Sequence, residues 1–341
     1  MSRTDRAAFR PGPGWATGVG SLPGTDPREA AAIVAGELAD LPHLAELPAR
    51  GPGADMVGRT AALLADLHVD LQPSGWRLVD RPGLDERRAR SHLSQDLDEL
   101  ERALEGVPGP VKLQACGPWT TAASLRLPRG EPALSDAGAV RDLVASLTEG
   151  LRSQVAEVRR RLPDVEPVLQ LDEPSLPAVL VGGIRSTSGA RSFAPVPVPM
   201  AEQVLRTLID AVGAPVVVHC CASRPPVALL HRAGAAGLSL DLTVCPQDLD
   251  DEIGEAVEDG VALLAGLVPA VPSGQRSLSS PAATVEPVRR LWRRLGLAPE
   301  ALRHVVVTPT CGLAGADPRH ALAAMRLAGA GARQLADDPE G

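Results

Sequence analysis

The chain has 341 residues, 44% of them apolar, with 34 basic against 42 acidic side chains, a net charge of −8 and mean hydropathy of +0.02. That is enough chain for one large barrel or two modest domains. No basic cluster is interleaved with aromatics, which excludes a nucleic-acid partner, and no apolar run approaches the roughly 20 residues of a membrane helix.

The opening stretch, "MSRTDRAAFRPGPGW", lacks the apolar centre of a secretory signal, so a cytoplasmic location is expected. Short apolar runs then recur along the chain. They are "ATGVGS" (16–21), "HLAEL" (43–47), "VKLQACG" (111–117), "PVLQLDEP" (167–174), "PVVVHCC" (215–221), "GLSLDLT" (237–243), "VALLAGLVP" (261–269) and "HVVVTPTCG" (304–312). Most are apolar on both faces, as strands of a covered parallel sheet must be. Helical patterns separate them. The clearest starts at Ser135 or Asp136 and lines up Val140, Leu143, Val144, Leu147, Leu151, Val155, Val158 and Leu162 on one stripe. Another opens on Asp317-Pro318, a good helix start. Eight strand–helix units predict an α/β fold, a single (β/α)8 barrel over residues 1–341. An open doubly wound sheet is the alternative. The span 50–110 is too long for a loop and predicts extra helices after the second strand. The Pro/Ser/Gly-rich segment 268–281 reads as a mobile loop after strand seven, and the last few residues as frayed.

Tyrosine is absent and lysine occurs once, at Lys112, while Arg, Ala, Gly and Pro abound, a pattern of GC-rich coding. The five cysteines, Cys116, Cys220, Cys221, Cys245 and Cys311, are an odd number and should be reduced in a cytoplasmic chain. In such barrels the site lies at the C-terminal ends of the strands. His219 and Cys221 close strand five and share a face, because side chains alternate along a strand; Cys220 points the other way, toward the helices. Asp241 closes strand six and Cys311 closes strand eight. Two thiolates, an imidazole and a carboxylate around one rim suit tetrahedral Zn2+. The competing reading is plain packing, since cysteine is among the most buried residue types. Cys245, beyond strand six, is a spare ligand candidate.

In chain order the sequence carries "GSLPGT", "AELPARGPGADMV", "QLDEP", "HCC" and "TCGL". In this set and order it resembles the zinc-dependent, cobalamin-independent methionine synthases, over the span from residue 18 to residue 313. The resemblance implies that His219, Cys221 and Cys311 are zinc ligands, with Asp241 standing where the family has glutamate. It implies that Ser21, Glu46 and Asp172 hold the amino-acid end of homocysteine. The chemistry agrees: an ammonium wants carboxylates, and a carboxylate wants a hydroxyl and the backbone N–H groups of the Gly20-Ser21 turn. Glu173, beside Pro174, reads as structural. A neutral alkyl thiol is a poor nucleophile, and coordination to zinc would deprotonate it.

Three departures concern the methyl donor. Full-length members add an N-terminal barrel that helps to bind polyglutamylated folate, and this sequence does not show that half. The family's strand-seven histidine, which serves the folate leaving group, aligns near Val271. The tryptophan near the folate aligns near Ser124, with Trp119 close by. The expectation is therefore a zinc-dependent thiol methyltransferase acting on homocysteine with a non-folate donor, a methylated corrinoid protein being one candidate. The alternatives are a uroporphyrinogen-decarboxylase-like methyltransferase of another small thiol, and a zinc- and thiol-binding protein without turnover.

Overall fold

In the computed structural model, which describes residues 8–272 and 278–341, the runs that are apolar on both faces become parallel strands. The chain first forms α1 (Pro27–Glu37), capped by Asp26, and α2 (Met56–Leu63), capped by Asp55. A hairpin of β1 (His68–Gln72) and β2 (Gly75–Val79) leads into α3 (Leu84–Ala103). Then follow β3 (Gly109–Cys116), α4 (Pro118–Ser124), α5 (Ala137–Arg161), β4 (Val165–Asp172), α6 (Leu176–Val181) and α7 (Val198–Val212). The rest alternates: β5 (Val216–Cys220), α8 (Val227–Ala233), β6 (Gly237–Asp241), α9 (Asp250–Glu258), β7 (Ala262–Val268), α10 (Pro281–Leu295), β8 (Val306–Pro309) and α11 (Pro318–Asp337).

Strands β3 to β8 form one parallel six-stranded sheet in sequence order. The ladder thus contains six of the eight expected strands. The two N-terminal runs are present as isolated parallel bridges, Ala16 to Val307 of β8, Ser21 to Glu46, and His43 to Lys112 of β3. Their composition explains the difference. "ATGVGS" has two glycines and "LPHLAELP" is bracketed by Pro42 and Pro48, and both residue types weaken a continuous ladder. The backbone still pairs where it can: Val307 N–H donates to Trp15 O and Lys112 N–H to Pro42 O.

The span 50–110 holds the expected helices, α2 and α3, and also the unexpected hairpin. Its register, Gln72 opposite Gly75, leaves a two-residue Pro73-Ser74 turn, with Gly75 at φ +109°. Asp136 caps α5 and Asp317 caps α11, each side chain accepting a backbone N–H three residues on. Of the segment read as a mobile loop, residues 273–277 lie outside the described residues. The chain end is tied down rather than frayed: the Arg289 guanidinium donates to the carbonyls of Asp338 and Pro339. No helix among the described residues is long and apolar enough to cross a membrane.

Period-2 alternation sorts the inner face of the sheet into layers. Val168, Val217, Leu264 and Val306 cluster with Leu41 and Phe9 near the N-terminal strand ends. Further along the same faces come Gln114, Gln170, Asp172, His219 and Ser239. An apolar floor therefore underlies a polar layer at the C-terminal ends.

Candidate active site

The strand register assembles the polar layer. Asp172 pairs with His219, and His219 with Ser239, so the three side chains stand in a row. His219 Nδ1 lies 2.9 Å from Ser239 Oγ, and its Nε2 is buried without a hydrogen-bond partner among the described residues. Cys221 follows on the same face, while Cys220 is fully buried on the other. Cys311 arrives on the turn after β8, fixed by Thr310 N–H donating to Val268 O and Leu313 N–H to Ser21 O. The sulfurs of Cys221 and Cys311 are 3.6 Å apart, and the ligand atoms of His219, Cys221 and Cys311 all lie within 4.8 Å of one another. The contact with Cys221, and then His219, pulls the Cys311 thiol down to about 4, and the same contact pushes Cys221 up. Two sulfurs and an imidazole whose other nitrogen is held by a hydroxyl form a donor set that zinc accepts.

Three of the four expected ligands thus come together. Asp241 does not join them here; its Oδ1 accepts from Thr243 N–H at 2.9 Å and from Thr243 Oγ1 at 2.6 Å. Cys245 and Cys116 stay outside the group as well, and burial pushes the Cys245 thiol up to about 12.

The expected amino-acid-binding residues lie beside this cluster. Ser21 and Glu46 bridge as neighbours, with Glu46 N–H donating to Gly20 O and Leu22 N–H to Glu46 O. The Cys311-Gly312 turn packs onto Ser21 so tightly that a Cβ at Gly312 would sit 2.1 Å from Ser21 Oγ. Glu46 and Asp172 are both buried. Gln170 Nε2 donates to Asp172 Oδ1 at 2.7 Å and to Val19 O at 2.8 Å, and Lys112 Nζ donates to that same carbonyl at 2.9 Å. Burial pushes Glu46 up to about 7 against the pull of Arg59, and also raises Asp172 against His219 and Lys112. Burial brings Lys112 down to about 8.

Sequence reasoning passed over Ser239, Gln170, Lys112 and Arg59. Ser239 and Gln170 each stand two residues before a singled-out carboxylate, on the same strand face, and that spacing was the available signal. Glu173 is structural, as expected: it accepts from Trp119 N–H and from Thr120 N–H and Oγ1, holding the first turn of α4. Trp119 is buried with its indole N–H on Ala201 O, so it faces the helix layer rather than the site. Val271 is exposed just past β7. His231 pairs with Asp259, and His320 Nε2 meets Pro269 O, 3.0 Å away at the rim.

A family model, the catalytic domain of cobalamin-independent synthases, matches residues 15–334. The chain belongs to that family. Membership in the cobalamin-independent methionine synthases makes it a methyltransferase by class. A solved B12-independent methionine synthase from Shewanella sp. W3-18-1, in complex with selenomethionine, shares its fold with a TM-score of 0.63, covering 95% of this chain and 98% of that one at 11% identity. No curated protein matches.

Proposed function

We propose that this protein methylates the thiol of homocysteine to give methionine, with one zinc held by His219, Cys221 and Cys311, and with Asp241 as fourth ligand once its carboxylate turns away from Thr243. The observation that carries the reading is the register row that sets Asp172 directly beside His219, with Glu46 and Ser21 alongside. A carboxylate suited to a substrate ammonium thus stands on the strand next to a metal ligand. Zinc, when bound, supplies a Lewis acid that keeps a substrate thiol deprotonated at neutral pH. Glu46 and Asp172 take the substrate ammonium, and the Gly20-Ser21 turn takes its carboxylate. Fixing both ends of the amino acid leaves the sulfur one direction in which to meet the donor. Methyl transfer forms the S–CH3 bond and breaks the donor–methyl bond, whose electron pair leaves with the donor.

We read the isolated bridges at both sheet edges as closing a single eight-stranded barrel whose mouth is this site. Five unpaired cysteines suit a reducing, cytoplasmic setting. For the donor we propose a methylated corrinoid carrier, because no histidine stands at Val271 and Trp119 is committed to the core. The test is methionine formation from homocysteine with each of several methyl donors. Homocysteine bound tightly but never converted would favour the binding-protein reading. Turnover of another small thiol, with homocysteine inert, would favour the uroporphyrinogen-decarboxylase-like one.

A further inference from the structure

Behind Glu46 runs a buried line of charge that the proposed reaction does not use. Arg59, on α2, is buried and ion-pairs through Nη1 with Asp96 of α3. Asp96, also buried, takes Arg50 Nη2 at 2.5 Å. On its other side Arg59 Nε lies 3.8 Å from Glu46 Oε1. Glu46 Oε1, Arg59 Nε and Arg59 Nη2 have no hydrogen-bond partner among the described residues. The series Arg50, Asp96, Arg59, Glu46 alternates in sign, and the next place in it calls for a cation.

We propose that Arg59 is the positioning residue of the ammonium subsite: it keeps Glu46 charged and aimed, and so sets the preference for thiols that carry an α-amino group. This rests on the reading of the site given above. The physical need is plain. A carboxylate buried beside a second one, Asp172, is driven to take up a proton, and a protonated Glu46 would offer a substrate ammonium one acceptor fewer. Lys112 from β3, the Gln114 side chain and Arg59 act against that, and Arg59 opposes it most strongly among them. On the proposed reading the substrate ammonium meets one side of the Glu46 carboxyl, and Arg59 stands on α2 behind Glu46. Its attraction for Glu46 therefore exceeds its repulsion of the ligand, since both fall with distance. Asp96 and Arg50 keep Arg59 in place.

The experiment compares zinc-loaded wild type with Arg59→Met, Arg59→Lys and the double variant Arg59→Met/Asp96→Asn, which removes both partners of the buried pair. Each is titrated calorimetrically with homocysteine and with 4-sulfanylbutanoate, the same thiol acid without the amino group. Wild type prefers homocysteine. In Arg59→Met, and in the double variant if the single one is poorly folded, that preference drops by about 10-fold or more, the size expected for a lost charge-assisted hydrogen bond. Arg59→Lys restores most of it. Zinc content and the affinity for 4-sulfanylbutanoate stay near wild type. Equal weakening for both thiols, or an unchanged preference, would overturn the proposal and leave Arg59 as a strut between α2 and α3. A wild type with no preference for homocysteine would instead bring down the reading of the site, and this inference with it.

Discussion

His219 and Ser239 stand opposite each other in the β5–β6 register, and the hydroxyl of one lies 2.9 Å from Nδ1 of the other. This pairing fixes the ring so that Nε2 is the nitrogen presented toward Cys221 and Cys311. Outer partners of this kind typically contribute 10–100-fold in metal affinity. Ser239→Ala should weaken zinc binding by about that factor in competition with a chromophoric chelator, without altering the fold by circular dichroism. Unchanged affinity would mean that the ring is held by packing alone.

The alternation of β5 makes a sharper test at two adjacent cysteines. Purified protein should carry about one zinc per chain by metal analysis, and Cys221→Ser and Cys311→Ser should lose most of it. Cys220→Ser, on the helix side, should keep it. The reverse pattern for Cys220 and Cys221 would show that the strand register is wrong.

Glu46→Gln and Asp172→Asn should each weaken homocysteine binding by about 10-fold or more, as expected when an ammonium loses an ionised acceptor. Zinc content should not change in either. The readout is the visible spectrum of cobalt-substituted protein, titrated with the thiol. Wild-type affinity in both variants would return the two carboxyls to a structural role.

The donor can be settled in one assay. Methyltetrahydrofolate needs its leaving nitrogen protonated, and a positioned acid typically contributes 10²–10⁴-fold. Val271 offers no proton, and His320 is held against Pro269 O. Methylcobalamin needs no such acid, because cob(I)alamin leaves unprotonated. Methionine formation should be slight with methyltetrahydrofolate and clearly greater with methylcobalamin at matched concentration. Comparable turnover with folate would overturn this and direct attention to His320.

Glu173 gives the fold a pH signature. Its burial outweighs its three hydrogen bonds and pushes it up to about 7 from an ordinary 4.5. Between those values the folded chain holds a proton that the unfolded chain has released. Stability contributed by this group is therefore present at low pH and lost as pH rises through about 7, with a slope of at most about 1.4 kcal/mol per pH unit. In denaturant titrations from pH 5 to 8, the stability of wild type minus that of Glu173→Gln should fall as pH rises. A flat difference would show that Glu173 is ionised throughout.

Much of this was legible before folding. The six strongest apolar runs became β3 to β8 because a strand buried on both faces needs nothing but apolar residues, and period 2 then placed His219 and Cys221 together. The first two runs were harder, since their glycines and prolines leave only single bridges where a ladder was expected. The β1–β2 hairpin was overlooked although "LQPSGW" carries turn residues between alternating segments. Asp241 shows a different limit. Its place at the strand end was readable, but a local contact with Thr243, two residues on, decides where the carboxylate points. The charges behind Glu46 were out of reach, because Arg59 and Asp96 meet across two helices.

The only lysine of the chain, Lys112, is wholly enclosed by the polar layer and gripped by Val19 O. Amine-directed reagents therefore meet no side-chain amine on the described surface of the native protein, and the ε-amino group becomes reachable only when the interior opens. The rate at which Lys112 is acylated thus reports that opening with no engineered probe. It follows the open population at low reagent, and the opening rate itself where acylation outpaces reclosing. A thiol that tightens the site should slow that acylation.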